Sequence, residues 1–139
     1  MLYEIFLDTG FWFAYLVRHD NHHQRSVKLM EKLMSEGALL STSELVIAET
    51  YTLIMRKLGA GAALKFMDLL QLQVAKGFTK IYWVDWLIME ESRKILRKYA
   101  DHQLSFTDAT SAAVLIKHNI PAIATYDRHF QMMRLPCLP

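Results

Sequence analysis

The stretch Tyr3-Glu4-Ile5-Phe6-Leu7-Asp8-Thr9-Gly10 decides the fold. Its first half is rich in aromatic and β-branched residues and its last three residues are turn formers, the pattern of a short buried strand that closes at Asp8. Such a strand belongs to a parallel sheet covered on both faces. Asp8 then stands at the strand's carboxyl end.

Working outward, the apolar and aromatic run from Phe11 to Val17 reads as core or as a dimer surface. From Asp20 to Glu36, Val27, Met30, Leu33 and Met34 share one helical face, with Asp20 or Asn21 as N-cap and Gly37 as the stop. Ala38 to Leu40 is a second strand. Ser41-Thr42-Ser43 caps a helix that runs to about Leu58 and ends at Gly59, and another helix follows from about Ala60 to Val74. Ile81 to Val84 supplies a third strand. The segment Asp85 to Tyr99 is helical, with Ile88, Ser92, Ile95, Leu96 and Tyr99 on one side and Arg93, Lys94, Arg97 and Lys98 on the other. Ser105 or Thr107 caps a helix through Lys117, and Ala122 to Ala124 forms a strand that ends at Thr125-Tyr126-Asp127. Pro136-Cys137-Leu138-Pro139 reads as an irregular tail without a final strand. Strands alternating with helices predict a three-layer α/β/α sandwich around a mainly parallel sheet, one domain over residues 1–139.

Composition bounds the function. The 139 residues are 53% hydrophobic with 5 Gly and 3 Pro, enough for one core and unlike a disordered or low-complexity chain. A formal charge of +2 does not by itself mark a nucleic-acid binder. Cys137, the single cysteine, excludes an internal disulfide and favours a reducing compartment, with the cytoplasm as default. The N-terminus carries Glu4 and Asp8 but no basic segment, so no signal peptide is expected, and the apolar runs are too short to cross a bilayer.

In an open parallel sheet, ligands bind beyond the carboxyl ends of the strands. Asp8 and Asp127 each follow a strand, Asp108 falls in the first turn of its helix, and Glu49 sits further along the helix after Ser41-Thr42-Ser43. These four carboxylates are expected at one rim. Gathered acids repel, and a divalent cation relieves them; oxygen ligands without cysteine or an obligatory histidine favour Mg2+ or Mn2+ over zinc. His19, His22 and His23 contain an i, i+4 pair, but their place at a helix start makes capping or solvation the better reading.

Leu7-Asp8-Thr9-Gly10, Ile47-Ala48-Glu49-Thr50, Leu104-Ser105-Phe106-Thr107-Asp108-Ala109 and Ala124-Thr125-Tyr126-Asp127-Arg128-His129-Phe130 resemble, in order and spacing, the motifs of PIN-domain ribonucleases. The resemblance implies that Asp8, Glu49, Asp108 and Asp127 ligate the metal or support its ligands, that Thr9 orients a carboxylate or a water, and that Asp101 adds an acid nearby. It further implies metal-assisted hydrolysis of single-stranded RNA, leaving 5'-phosphate and 3'-hydroxyl ends. Chain length and the lack of extra domains look like the VapC-type toxins of toxin-antitoxin pairs, so a cognate antitoxin and a homodimer are expected, with the helical pair around Tyr51 to Leu70 as the contact surface.

Arg18, Arg93, Arg97 and Arg128 are the leading candidates for holding RNA, joined by Arg56, Lys57, Lys94 and Lys98, with Trp12 or Tyr126 to stack bases. Three other readings compete: a stand-alone RNA-processing nuclease, a non-catalytic PIN-like scaffold that binds RNA or protein, and an aspartyl-phosphate phosphatase. The last needs a second Asp two residues after the first, where this chain has Gly10. Setting the four clustered acids aside from the 14 acidic residues leaves 16 basic side chains against 10, so the remaining surface is decidedly basic.

Overall fold

The computed structural model describes residues 3–139. Strand β1 (Glu4–Leu7) occupies the middle of a five-stranded, all-parallel sheet. On one side lie β2 (Leu39–Ser43) and then β3 (Thr79–Tyr82); on the other lie β4 (Ala122–Ala124) and then β5 (Cys137–Leu138). Phe6 and Leu7 are wholly buried, as a central strand requires.

The connections are α1 (Thr9–Leu16) and α2 (His23–Ser35) between β1 and β2, then α3 (Glu44–Leu58) and α4 (Ala60–Ala75) between β2 and β3. Helices α5 (Trp86–Lys98) and α6 (Phe106–Lys117) join β3 to β4, and the short α7 (Arg128–Met132) joins β4 to β5. The first two crossovers step one way across the sheet and the third steps back over it. Right-handed crossovers therefore place α1–α4 and α5–α6 on opposite faces, which gives the expected sandwich. The direction of travel reverses between β1 and β4, so a crevice opens beyond their carboxyl ends.

Several boundaries differ from the sequence reading for local reasons. The aromatic run is helix α1, with Phe11 and Trp12 fully buried and Trp12 edge-on to Phe66 at 5.6 Å. Trp12 is therefore core and not a platform for bases. Helix α2 begins at His23 without a side-chain cap, because the Asp20 carboxylate accepts from the His22 N–H (2.9 Å) in the preceding turn. Strand β2 absorbs Ser41 and Thr42, leaving Ser43 alone to cap α3 by accepting from the Val46 N–H (3.2 Å). Strand β3 ends at Tyr82, since the Val84 N–H is turned to the Glu44 carboxylate (2.9 Å).

The C-terminal segment is not an irregular tail. Ile123 N–H donates to the Pro136 carbonyl (3.0 Å) and Thr125 N–H to the Leu138 carbonyl (2.9 Å), which makes β5 an edge strand. Proline is tolerated there because an edge needs donors on one side only. None of the described helices is long and apolar enough to cross a membrane.

Candidate active site

Asp8 leaves β1 as the N-terminal flank of α1 and is 5% exposed. Its Oδ2 accepts from Thr125 Oγ1 (2.7 Å), and Thr125 Oγ1 accepts in turn from the Asp127 N–H (3.0 Å). One hydroxyl thus links the ends of β1 and β4 and aligns two of the predicted acids. Asp127 caps α7, its Oδ1 accepting from the His129 N–H (2.9 Å). Asp108 is brought to the same place by α6, whose start is fixed by Ser105 Oγ accepting from the Asp108 N–H (3.0 Å).

Asp8 and Asp108 resist ionisation. Burial pushes Asp8 up to about 6 against the hydrogen bonds from Thr125 and the Thr9 backbone, and the charges of Asp127 and Glu49 add to the rise. Asp108 is pushed up to about 7 by burial first, then by the charges of Asp8 and Asp127 and a hydrogen bond with Asp127. The cluster concentrates negative charge, and among the described residues no Lys or Arg pairs with these acids.

His129, given no role in the sequence reading, stands between the acids. Its Nδ1 is 3.0 Å from Asp127 Oδ1 and 3.7 Å from Asp108 Oδ2, yet it is buried without a well-directed hydrogen bond. Its Nε2 lies 3.1 Å from the His102 carbonyl oxygen, which fixes the ring. One donor atom from each of Asp108, Asp127 and His129 fits within 4.8 Å, a spacing suited to a cation. An imidazole nitrogen thus joins the carboxylate oxygens among the groups that could hold a cation. Thr125 was missed as well, because a threonine at a strand end is unremarkable until the partner strand is known.

The remaining predicted residues separate into near and far. Glu49 is exposed on α3 and reaches Asp8 through its charge alone. It lines a hollow with Thr9, Thr107 and Arg56, and the Thr9 hydroxyl is buried there without a partner. Asp101 is exposed in the turn Ala100–His102, and what that turn contributes is the His102 carbonyl. Arg128 is exposed next to Asp127, whereas Arg93 and Lys94 pair with Glu90 (3.3 Å) and Glu91 (3.2 Å) on the outer face of α5. Arg18 and Arg97 are exposed. Tyr126 has one ring face stacked on His22 at 4.1 Å, so that face is not free for a base. His23 Nδ1 is 2.8 Å from the Ala14 carbonyl oxygen, in keeping with a structural role for the histidine pair.

The PIN-domain family model matches residues 5–134. A Mycobacterium tuberculosis protein described as the 23S rRNA-specific endonuclease VapC20 is 30% identical over 132 residues, covering 91% of each chain. The crystal structure of Mycobacterium tuberculosis VapC20, described as a Sarcin-Ricin loop cleaving toxin, superposes with a TM-score of 0.80 at 26% identity, covering 94% of this chain and 95% of that one. Rickettsia felis VapBC2 bound to a promoter DNA fragment shares the fold with a TM-score of 0.67 at 14% identity, over 99% of this chain and 98% of that one.

Proposed function

Since the chain belongs to the PIN-domain family, we propose that it is a divalent-cation-dependent endoribonuclease that hydrolyses single-stranded RNA as the toxin of a toxin-antitoxin pair. The observation that carries the reading is the convergence of Asp8, Asp108 and Asp127, with His129 among them, at the crevice between β1 and β4. The name of the VapC20 relative supports RNA as the polymer, and the description of the VapC20 structure as a toxin supports an antitoxin. A cellular RNA substrate supports a cytoplasmic location.

The donor set fits a hard divalent cation, because buried carboxylates at about 6 and about 7 are relieved by a positive charge and ionise more readily beside one. Asp8, Asp108, Asp127 and His129 would hold Mg2+ or Mn2+, with Glu49 at the rim. When bound, such a cation supplies Lewis acidity at the phosphodiester and lowers the pKa of water. The protein's own groups do the rest. Thr125 holds the Asp8 carboxylate in one orientation, Ser105 sets the start of α6 so that Asp108 faces it, and His129 is locked by the His102 carbonyl. Arg128 brings positive charge to the phosphate, and Thr9 offers a free hydroxyl at the Glu49 side.

Cleavage of a mixed single-stranded RNA pool with Mn2+, with EDTA, and by Asp8→Asn and Asp108→Asn tests the reading. We expect activity with Mn2+, none with EDTA, and a fall of ~10²-fold or more in each variant. Binding without cutting by the wild type would favour a scaffold instead. The exposed apolar residues Met55, Leu58, Leu64 and Met67 of the α3–α4 pair are the surface assigned to a second copy or to the antitoxin.

A further inference from the structure

Beside the acidic cluster lies a second concavity that the chemistry above leaves unused. It is a hollow of about 280 Å3 between the start of α2 and the β4–α7 connection, walled in part by His22, Arg25, Tyr126, Asp127, Arg128 and Gln131. Asp127 belongs to both, so an occupant of the hollow is continuous with the groups at the crevice.

Its wall is built before any ligand arrives. Tyr126 Oη and Ser26 Oγ are 2.6 Å apart although the two residues are 100 positions apart in sequence. The His22 ring lies nearly parallel to the Tyr126 ring, at 9° and 4.1 Å. The Arg25 guanidinium sits 5.6 Å from the centre of the same ring, within reach of a cation–π contact. Among the described residues, neither Arg25 nor Arg128 is in an ion pair. Two exposed guanidinium groups outside any ion pair, set on a polar hollow, suit a phosphate, whose oxygens match the planar fork. A free anion would be opposed by the charge of Asp127. A strand is not, because its neighbouring phosphate sits at the crevice and the two contacts reinforce each other.

We propose that this hollow docks the nucleotide next to the cleaved bond, Arg25 and Arg128 holding its phosphate and the His22–Tyr126 stack walling its sugar and base. The assignment rests on the endoribonuclease reading. Arg25 is a positioning residue: it touches the strand beside the reacting bond and sets where that bond lies.

The test is binding of a labelled mixed-sequence single-stranded RNA, with Mn2+ present, by Asp108→Asn protein with and without Arg25→Ala, Arg25→Lys and Arg128→Ala. Each alanine variant is expected to weaken binding about tenfold or more. Each should also lower the slope of log affinity against log salt by about 0.7, the value for one contact to a single strand. Arg25→Lys should restore the slope and part of the affinity. Unchanged affinity and slope in both alanine variants overturns the proposal. So does weaker binding with an unchanged slope, which would make Arg25 a support for Tyr126 alone, or displacement of the RNA by AMP at concentrations comparable to the strand, which would mark a free-nucleotide site. Wild-type cleavage of the same RNA separates the two levels: cleavage with unaffected arginine variants refutes only the subsite, and no cleavage refutes the nuclease reading and the subsite together.

Discussion

At Asp8, burial and charge oppose each other. The carboxyl is held at about 6 in the folded protein, against an ordinary value of 3.8 when unfolded. Between those two values the unfolded chain binds fewer protons than the folded one, so folding stability falls as pH rises through this window, and the full penalty is present above about pH 6. Asp8→Asn keeps the acceptor for Thr125 and removes the charge. In cation-free buffer at pH 7.5 it should stabilise the fold by about 1–3 kcal/mol, while at pH 4 the gain should vanish; urea melts at the two pH values check this. Thr125→Val, nearly isosteric, strips the hydroxyl that joins Asp8 Oδ2 to the Asp127 N–H. It should cost about 1.5–3 kcal/mol in the same melts at pH 7.5 and also depress cleavage, because the lost hydrogen bond is to a charged, buried group.

Among the elements, α6 is the one whose first turn carries both a structural cap and, on the proposed reading, a catalytic acid. Ser105 caps it through the Asp108 N–H, so Ser105→Ala should lower stability by about 1 kcal/mol. It should reduce kcat/KM by a larger factor than its effect on folding explains, because the loosened turn carries Asp108; thermal melts and cleavage rates measured on one preparation separate the two. The span of α3, Glu44–Leu58, and the strand Ala122–Ala124 were legible because capping serine, stopping glycine and proline punctuate them. Helix α1 was not, since every position of Phe11 to Ala14 is apolar and a helix buried around most of its circumference has no periodic face to read. Strand β5 was hidden for a different reason: it exists through its pairing with β4, and two residues between prolines carry no strand signal of their own.

For the molecule as a whole, protons and a cation compete for one cluster on the proposed reading. With Asp8 at about 6 and Asp108 at about 7, Mn2+ affinity should fall as pH drops from 7.5 to 5.5, by roughly tenfold per pH unit for each proton displaced. Titration calorimetry at several pH values measures this, and a flat profile would remove these carboxyls from the cation site. Saturating Mn2+ should raise the melting temperature of the wild type by mass action, and EDTA should return it to the cation-free value.

The order of most strands and helices, their right-handed crossovers and three acids near strand or helix ends follow from hydrophobic period, caps and turn formers, and the chain spells them out in one dimension. Which acids meet is a matter of sheet order. Because β1 and β4 are neighbours despite more than a hundred intervening residues, Asp8, Thr125 and Asp127 share a hydrogen-bond chain, while Glu49 acts at a distance and Asp101 faces solvent. His129 enters the cluster because α7 turns it back toward Asp108. Arg25 reaches the same rim because α2 packs its first turn on Tyr126. Side chains so far apart in sequence carry no shared local signal, since their contact energy arises when the sheet closes and brings the two segments together.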